Sequence, residues 1–414
     1  MKILILGGGN SQLTAIKRAK EKGHTVVITD YYPDPPGKRV ADFTEQISTF
    51  DVAGNIAVAE KYQVDGVMTL GTDQPVYTAA KVAEALGLPG FIDTETALAV
   101  TNKKVMKEIL GRHGVPLAPY RLVGEGFPAS QLQGLKFPVV IKPIDSQGQR
   151  GIYKLDTLNE IYTHMQDTLS YSRAVEIMVE EFYENGEITV SGWVECGRTY
   201  LLTITDRISI QSGKHLGICT SHHFPSRFIS DYYEEIKQIT ENIVEAVGIQ
   251  EGPIYFQMLI GASGVKVNEI SCRVGGAHED EFIPALTGIN ILDLIMEGAL
   301  GQKSDLTALR RHDMRNIREK VSVELVFARP GRTARLSETD QVKKIPGVVQ
   351  AGFYVEPGHQ ASEITNATQR VGYMIVTAAS EKELKGRLHQ AYDVFRMEDE
   401  AGKNLIRREF ITTY

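Results

Sequence analysis

The chain has 414 residues, 42% of them apolar and 23% charged, with 45 basic residues against 52 acidic and a formal net charge of −7. At roughly 150 residues per domain this predicts two or three domains with cores of their own, and the acidic balance argues against a sequence-independent grip on nucleic-acid phosphates. Apolar runs fall short of the ~20 residues that span a bilayer, no signal-type segment precedes the first strand, and Cys196, Cys219 and Cys272 are too widely spaced for a disulfide framework or thiolate site, so the expectation is a cytoplasmic protein without membrane or nucleic-acid partners.

Short β-rich runs alternate with amphipathic stretches at the N-terminus: strand Lys2 to Leu6, helix Gln12 to Lys22, strand Thr25 to Thr29, helix Val52 to Tyr62, strand Gly66 to Leu70. Continuous apolar strands separated by helices imply a parallel sheet covered on both faces. Asp93-Thr94-Glu95-Thr96 offers caps for a helical segment through Leu110, closed by Gly111 and Gly114-Val115-Pro116. Beyond it come a strand at Phe137 to Pro143, a polar glycine loop, a strand at Gly151 to Leu155, a helix at Leu158 to Leu169 and a strand at Val175 to Phe182. Strands at Glu187 to Val194 and Thr199 to Thr205, a helix at Asp231 to Val247 and a hairpin around 253–273 follow, and the charged stretch Arg310 to Lys320 reads as a connector to a C-terminal lobe. No internal repeat is visible.

Two segments carry chemistry. Gly7-Gly8-Gly9 after the first strand, with Asp30 ending the second, imitates a dinucleotide fingerprint and raises an NAD-dependent oxidoreductase as one reading. The third glycine of that pattern is replaced by Gln12, and a tight strand-to-helix turn needs glycine in any case. In the hairpin, pairing centred on Ser263 sets Gln257 opposite Glu269 and Tyr255 opposite Ser271, and the period of two puts Gln257, Glu269, Ser271 and Arg273 on one side. Hard oxygen ligands beside one cation suit Mg-nucleotide; an exposed polar hairpin face shows the same alternation. Upstream, Lys142 ends an apolar strand and Asp145 to Gly151 could turn amides onto phosphates. His222 and His223 are adjacent on an extended run, so the expectation is one buried and one exposed histidine rather than a zinc pair.

Lys104, Lys142 with its glycine loop, the Glu180 to Glu187 segment, and Gln257 with Glu269-x-Ser271-x-Arg273 occur in an order and spacing that resemble the ATP-grasp superfamily, in particular its carboxylate-amine ligases and the carbamoyl phosphate synthetase large chain. The resemblance runs from the first strand to about residue 300 and includes Thr287-Gly288-Ile289-Asn290 and Leu300-Gly301. It implies an α/β and α+β chain with a Rossmann-like pre-ATP-grasp domain (1–95) that binds no NAD, a helical linker (96–115), a small lid subdomain (116–183), an ATP-grasp core (184–309) and a C-terminal lobe (310–414). It further implies that Lys104 and Lys142 contact ATP phosphates under a mobile flap from Ser146 through Gly148 to Gly151. Glu180, Glu181 and Phe182 would line the adenine and Glu187 would face the ribose. Gln257, Glu269 and Ser271 would hold Mg²⁺ or Mn²⁺, with Arg273, Gly275 and Gly276 beside the acceptor carboxylate and the transferred phosphate. Gln257 stands where many members have Glu or Asp, and Ser271 where they have Asn.

Arg207 and His278 fall where the family reads its substrates, although His278-Glu279-Asp280-Glu281 would equally cap the following helix. The implied reaction is ATP-dependent joining of a carboxylate to an amine, an amino acid being one substrate, through an acylphosphate, with Arg273 and Lys142 as the catalytic cations; homodimers are common in the family. Carboxyphosphate or carbamoyl phosphate formation and a non-catalytic ATP-binding protein are the other readings.

Overall fold

The computed structural model describes residues 1–146 and 148–411. Gln147, inside the expected flap, and residues 412–414, at the end of the expected C-terminal lobe, lie outside the described residues. The N-terminal strands form a parallel sheet in the order Phe43–Glu45, Thr25–Thr29, Lys2–Leu6, Gly66–Met68, with Lys2 opposite Thr25 and Ile3 opposite Gly66. Helices Leu13–Glu21, Val52–Tyr62 and Gln74–Leu86 connect and cover it. The strand Phe43–Glu45 and the helix Gln74–Leu86 were not read from the sequence. Leu4, Leu6 and Val27 face one apolar cluster and Ile3, Ile5 and Ile28 another, as the two-sided burial of a parallel sheet demands.

The helix expected over residues 93–110 is two helices, Thr94–Ala99 and Lys103–Arg112. Asn102 causes the break. It sits in extended conformation and its side chain accepts from the Lys104 and Val105 amides at 3.0 and 3.2 Å, satisfying two orphan donors of a new helix start. That restart fixes which lysines face inward, because successive helical residues point about 100° apart while residues four apart share a face.

Twelve strands among the described residues form one large, mainly antiparallel sheet. Lid strands Tyr120–Gly124, Glu176–Glu181, Val139–Pro143 and Tyr153–Leu155 are backed by helix Leu158–Ser170, whose start is a reciprocal Thr157/Glu160 capping box. The lid has its own core, including Ile141, Leu155, Ile161 and Val179. It joins the rest of the sheet through a single pair, His215 with Tyr153. The core strands are His215–Phe224, Arg198–Ser212, Gly186–Glu195, Glu251–Gly261 and Gly264–Ser271, with helix Ile229–Val247 against them.

Strand His215–Phe224, absent from the sequence reading, is the junction of the molecule. Its first residue pairs with the lid, and its last four pair with Lys320–Val326 of the C-terminal lobe, Ser221 opposite Glu324 and Phe224 opposite Val321. Gly372–Ala378 and Val348–Phe353 extend that lobe's side of the sheet, over a separate core containing Val326, Met374, Leu388 and Phe395. The expected connector is more ordered than a linker, with a short helix Thr307–Arg311 and a turn at Met314–Asn316 before the strand begins. Among the described residues no single helix is long and apolar enough to cross a membrane; Glu279–Thr287 and Ile291–Ala299 reach that length only together, across a 116° bend.

Candidate active site

A cavity of about 200 Å³ opens between lid and core. Lys142, from the lid strand Val139–Pro143, and Glu180, from its neighbour Glu176–Glu181, meet there as an ion pair, and Lys107 approaches the same carboxylate from the helix. Lys142 Nζ also donates to Asn268 Oδ1 at 3.1 Å. Lys103 Nζ pairs with Glu269 at 2.9 Å and donates to the Ser146 carbonyl at 2.8 Å. Arg207 Nη1 pairs with Glu187 at 2.5 Å. Lys154 lies 3.7 Å over the Phe182 ring, and Glu181 accepts from the Lys136 amide at 2.9 Å. Ser146, Gly148, Glu181, Phe182 and Gln257 complete the wall relevant to the expected nucleotide.

A second cavity, of about 380 Å³, adjoins it. Gly148, Gln149, Arg207, Gln257 and Glu269 line both. Its further wall comes from every part of the chain: Ser11, Tyr32 and Thr72 from the first domain, Arg150 from the flap loop, His222, Tyr255 and Arg273 from the core, Thr368 and Arg370 from the C-terminal lobe. Arg273 is held by Asp73, with Nε 2.8 Å from Oδ1, and its guanidinium carbon stands 4.5 Å over the Tyr255 ring. Gly276 is required by contact. A Cβ there would stand 2.6 Å from the Gly71 carbonyl, while one at Gly275 would run into Glu279 and Tyr255.

The hairpin register is the one expected, Gln257 opposite Glu269 and Tyr255 opposite Ser271, but a bulge leaves Asn268 without an opposite number. The bulge brings Asn268 into the cavity wall beside Glu269. Ser271, expected as a metal ligand, is fully buried and its Oγ has no hydrogen-bond partner; so short a side chain ends beneath the wall that Glu269 and Tyr255 form. Among the described residues no three His, Cys, Asp or Glu side chains gather as a metal site. What the hairpin presents to the cavity is one carboxylate, Glu269, with the amide oxygens of Gln257 and Asn268, a hard donor set that fits Mg²⁺ shared with nucleotide phosphates.

Other expected residues lie elsewhere. Lys104 pairs with Glu176 at 3.0 Å on the surface and is not part of the cavity lining; Lys103, first in the helix, takes the inward position, and Lys107 repeats it one turn on. The signal available in the sequence was the Asn102 cap with the Lys103/Lys107 spacing. Gly151 sits at the end of the flap with φ 67°, packed against Tyr171 and accepting from Thr168, outside both linings. His278 turns to the C-terminal lobe, where Nε2 lies 2.5 Å from the Tyr354 hydroxyl and the ring stacks on Tyr373 at 3.4 Å. His222 and His223 are both buried, on a strand paired along both edges, with Arg198–Ser212 and Lys320–Val326; His222 fronts the second cavity and His223 faces Glu324. The glycine loop is occupied by its own chain: Asp30 accepts from the Gly8 and Tyr32 amides, and the Gln12 carboxamide fills the space over Gly7 while donating to the Leu70 carbonyl.

Burial would raise the Glu180 carboxyl, but Lys107 and Lys142 hold it below its usual range. Burial likewise opposes ionisation of Glu269, and Lys103, then Arg273 and Lys142, outweigh it. Burial pushes the Glu187 carboxyl up against the pull of Arg207, whose own guanidinium stays charged beside it. Burial, then the cations Arg207 and Arg370, drives His222 far below an ordinary histidine, so it is neutral at pH 7. These features make a site that neutralises anions from fixed positions. It offers no nucleophile-base-acid relay among the cavity's described residues.

Residues 135–280 match the ATP-grasp domain family, and residues 324–400 match L-amino acid ligase C-terminal domain 2. The chain is 24% identical over 344 residues to dapdiamide A synthase of Enterobacter agglomerans, covering 81% of this chain and 80% of that one. It is 23% identical over 351 residues to an L-arginine-specific L-amino acid ligase of Bacillus subtilis, covering 79% of each. An L-amino acid ligase from Bacillus licheniformis superposes with a TM-score of 0.79 at 18% identity, covering 96% of this chain and 98% of that one.

Proposed function

From the premise that this chain carries an ATP-grasp domain followed by a domain of the L-amino acid ligase type, we propose that it joins a carboxylate to an amine at the expense of ATP, with ADP and phosphate as products. The observation that carries the reading is the shared edge of the two cavities. Gln257, Glu269 and Arg207 belong to both walls, so a phosphoryl group bound from one side is in reach of an acceptor held on the other. A substrate carboxylate in the second cavity attacks the γ-phosphate in line; ADP leaves and an acylphosphate remains. The amine then forms the C–N bond as the C–O bond to phosphate breaks, and the amine proton is lost to solvent or phosphate.

Each step asks the protein for placement and charge rather than covalent participation. Lys142 and Lys103 exchange Glu180 and Glu269 for phosphate oxygens. Arg273, braced by Asp73 and Tyr255, meets the charge that develops on the transferring group. Magnesium, when bound through Glu269, Gln257 and the phosphates, would supply further neutralisation there. Lid and flap exclude water that would hydrolyse the acylphosphate. The dapdiamide and amino acid ligase relatives favour an amino acid as one substrate.

The test is a panel of carboxylic acids crossed with amines, read by phosphate release and product mass. ADP formation that requires both an acid and an amine, with a condensed product, is expected. Turnover that requires bicarbonate and no other acid would replace this reading with carboxyphosphate chemistry, and ATP binding without ADP formation across the panel would leave a binding protein.

A further inference from the structure

Lys107 is the buried cation that the proposed chemistry does not use. Its side chain is fully buried and stands outside both cavity linings, whereas Lys103, one turn earlier on the same helix, is part of the nucleotide wall. The ammonium pairs with Glu180 and lies 5.3 Å from the Tyr120 ring centroid. Glu180 is as firmly placed. Its strand runs between Tyr120–Gly124 and Val139–Pro143, with Tyr120 opposite on one side and Val140 on the other, and its carboxylate holds Lys142 as well as Lys107.

Of the two lysines only Lys142 faces the cavity, where Asn268 Oδ1 accepts from it at 3.1 Å. Lys142 can therefore turn to a nucleotide phosphate, and Lys107 cannot. When Lys142 turns, Glu180 stays where its strand puts it, still buried. A buried carboxylate stripped of its last cation is strongly destabilised and takes up a proton instead. The groups that face Glu180 are Lys107 from the helix, Lys142 from one neighbouring strand and Tyr120 from the other, with Lys103 acting on Lys107 from a turn away. Burial draws the Lys107 ammonium below its usual range; Glu180 opposes that, and Lys142 and Lys103 add to it. Departure of Lys142 removes one of those depressing cations, so the Lys107–Glu180 pair tightens as a phosphate arrives.

We propose that Lys107 is a positioning residue for ATP: it stays on Glu180 while Lys142 moves to phosphate, so that nucleotide enters the site without a proton being taken up by the buried carboxylate. The inference rests on the nucleotide reading of this cavity given above, and it assigns a part to a side chain that never touches the ligand.

The experiment follows binding of the magnesium complex of the β,γ-imido analogue of ATP, by calorimetry in paired buffers of different ionisation enthalpy at pH 6, 7 and 8. Wild type is compared with Lys107→Met and with Lys107→Met combined with Glu180→Gln. Lys107→Met should take up about one proton more than wild type per nucleotide bound. Its Kd should be ~100-fold higher at pH 7 and rise relative to wild type by about tenfold per pH unit, the slope of one coupled proton. The same proton should appear as a carboxylic acid C=O band in the infrared difference spectrum of binding. In the double variant no carboxylate remains to take it, so the extra proton, the slope and the band should vanish although the lysine is still missing. A lysine that only packs the helix would weaken binding alike at every pH. Lys107→Gln, run in parallel, should match Lys107→Met and carries the test if methionine prevents folding. A Lys107 variant with the wild-type proton count and slope, or an extra proton that persists beside Glu180→Gln, would overturn the inference and leave the ligase reading intact. Wild type that binds no nucleotide would overturn that reading and the inference with it, and shows before any variant is compared.

Discussion

Along the nucleotide cavity, cations and carboxylates stand in pairs: Lys142 and Lys107 on Glu180, Lys103 on Glu269, Arg207 on Glu187. In the adjoining acceptor cavity the arginines outnumber the carboxylates. The first arrangement lets phosphates enter by exchanging one anion for another at little net cost in burial of charge. The second is incomplete until a ligand supplies the anion. The difference also has an origin in the chain. The paired groups sit on neighbouring strands of the ATP-grasp unit and on the helix Lys103–Arg112 that precedes it, while the acceptor wall draws on segments from Ser11 to Arg370.

The sharpest way to break this division is at Arg273, the residue of the acceptor wall nearest in sequence to the shared Glu269. Arg273→Ala should lower acceptor-dependent ADP formation about 10³-fold, the scale of losing a positioned charge at a transferring group, while nucleotide binding measured by fluorescence titration stays within a few-fold. Turnover within a factor of ten of wild type would remove Arg273 from the chemistry and, with it, the assignment of the second cavity to the acceptor.

A smaller effect separates two neighbouring lysines. Lys103→Ala takes away a buried cation that touches Glu269 and the flap carbonyl of Ser146, and should raise KM for ATP ~10–100-fold. Lys104→Ala loses a solvent-screened ion pair whose partners are 40% and 36% exposed, and should leave KM within about threefold. The opposite ranking would mean that the helix presents its other face to the nucleotide when ATP is bound.

That pair of residues also marks how far the sequence could be read. Elements with strong local signals were legible: the first parallel strands, the capping-box helix Leu158–Ser170, and the hairpin down to the opposition of Gln257 and Glu269. A signal one residue wide decided the misses. The Asn102 cap rotates Lys103 inward in place of Lys104, and the bulge at Asn268 adds an amide to the cavity while Ser271 stops short. Long-range pairing was out of reach altogether. His278 looks like a substrate ligand beside Gly276, yet stacks on Tyr373 from the C-terminal lobe, and nothing local announces that Arg370 or Asp73 meets the cavity. Strand His215–Phe224 carries glycine and three histidines and reads poorly as a strand, although three parts of the molecule meet on it.

The smallest of these effects concerns the far side of that junction strand. Behind the acceptor wall, Glu324 is fully buried and accepts from the Ser322 and Tyr392 hydroxyls at 2.5 and 2.9 Å, with His223 at 3.9 Å. Burial pushes its carboxyl from the ordinary 4.5 up to about 7, against the pull of the two hydroxyls, whereas burial, followed by Arg227, brings His223 from 6.5 down to about 4. From pH 4.5 to 7 the folded chain therefore holds a proton on Glu324 that the unfolded chain has released, and stability falls as pH rises through that window. His223 acts oppositely: between pH 4 and 6.5 the unfolded chain binds the extra proton, so stability rises with pH. The two slopes offset each other below pH 6.5, and the Glu324 cost stands alone above it. Glu324→Gln should leave only the histidine slope, raising the melting temperature by a few degrees at pH 8 and by progressively less toward pH 5. His222, next to His223, lines the acceptor cavity, so the variant should shift the pH dependence of KM for the acceptor between pH 6 and 8 and leave that of KM for ATP unmoved. Melting curves of variant and wild type that run parallel across pH 5–8 would place the raised carboxyl elsewhere, and an equal shift in both KM profiles would dissolve the separation of the two cavities.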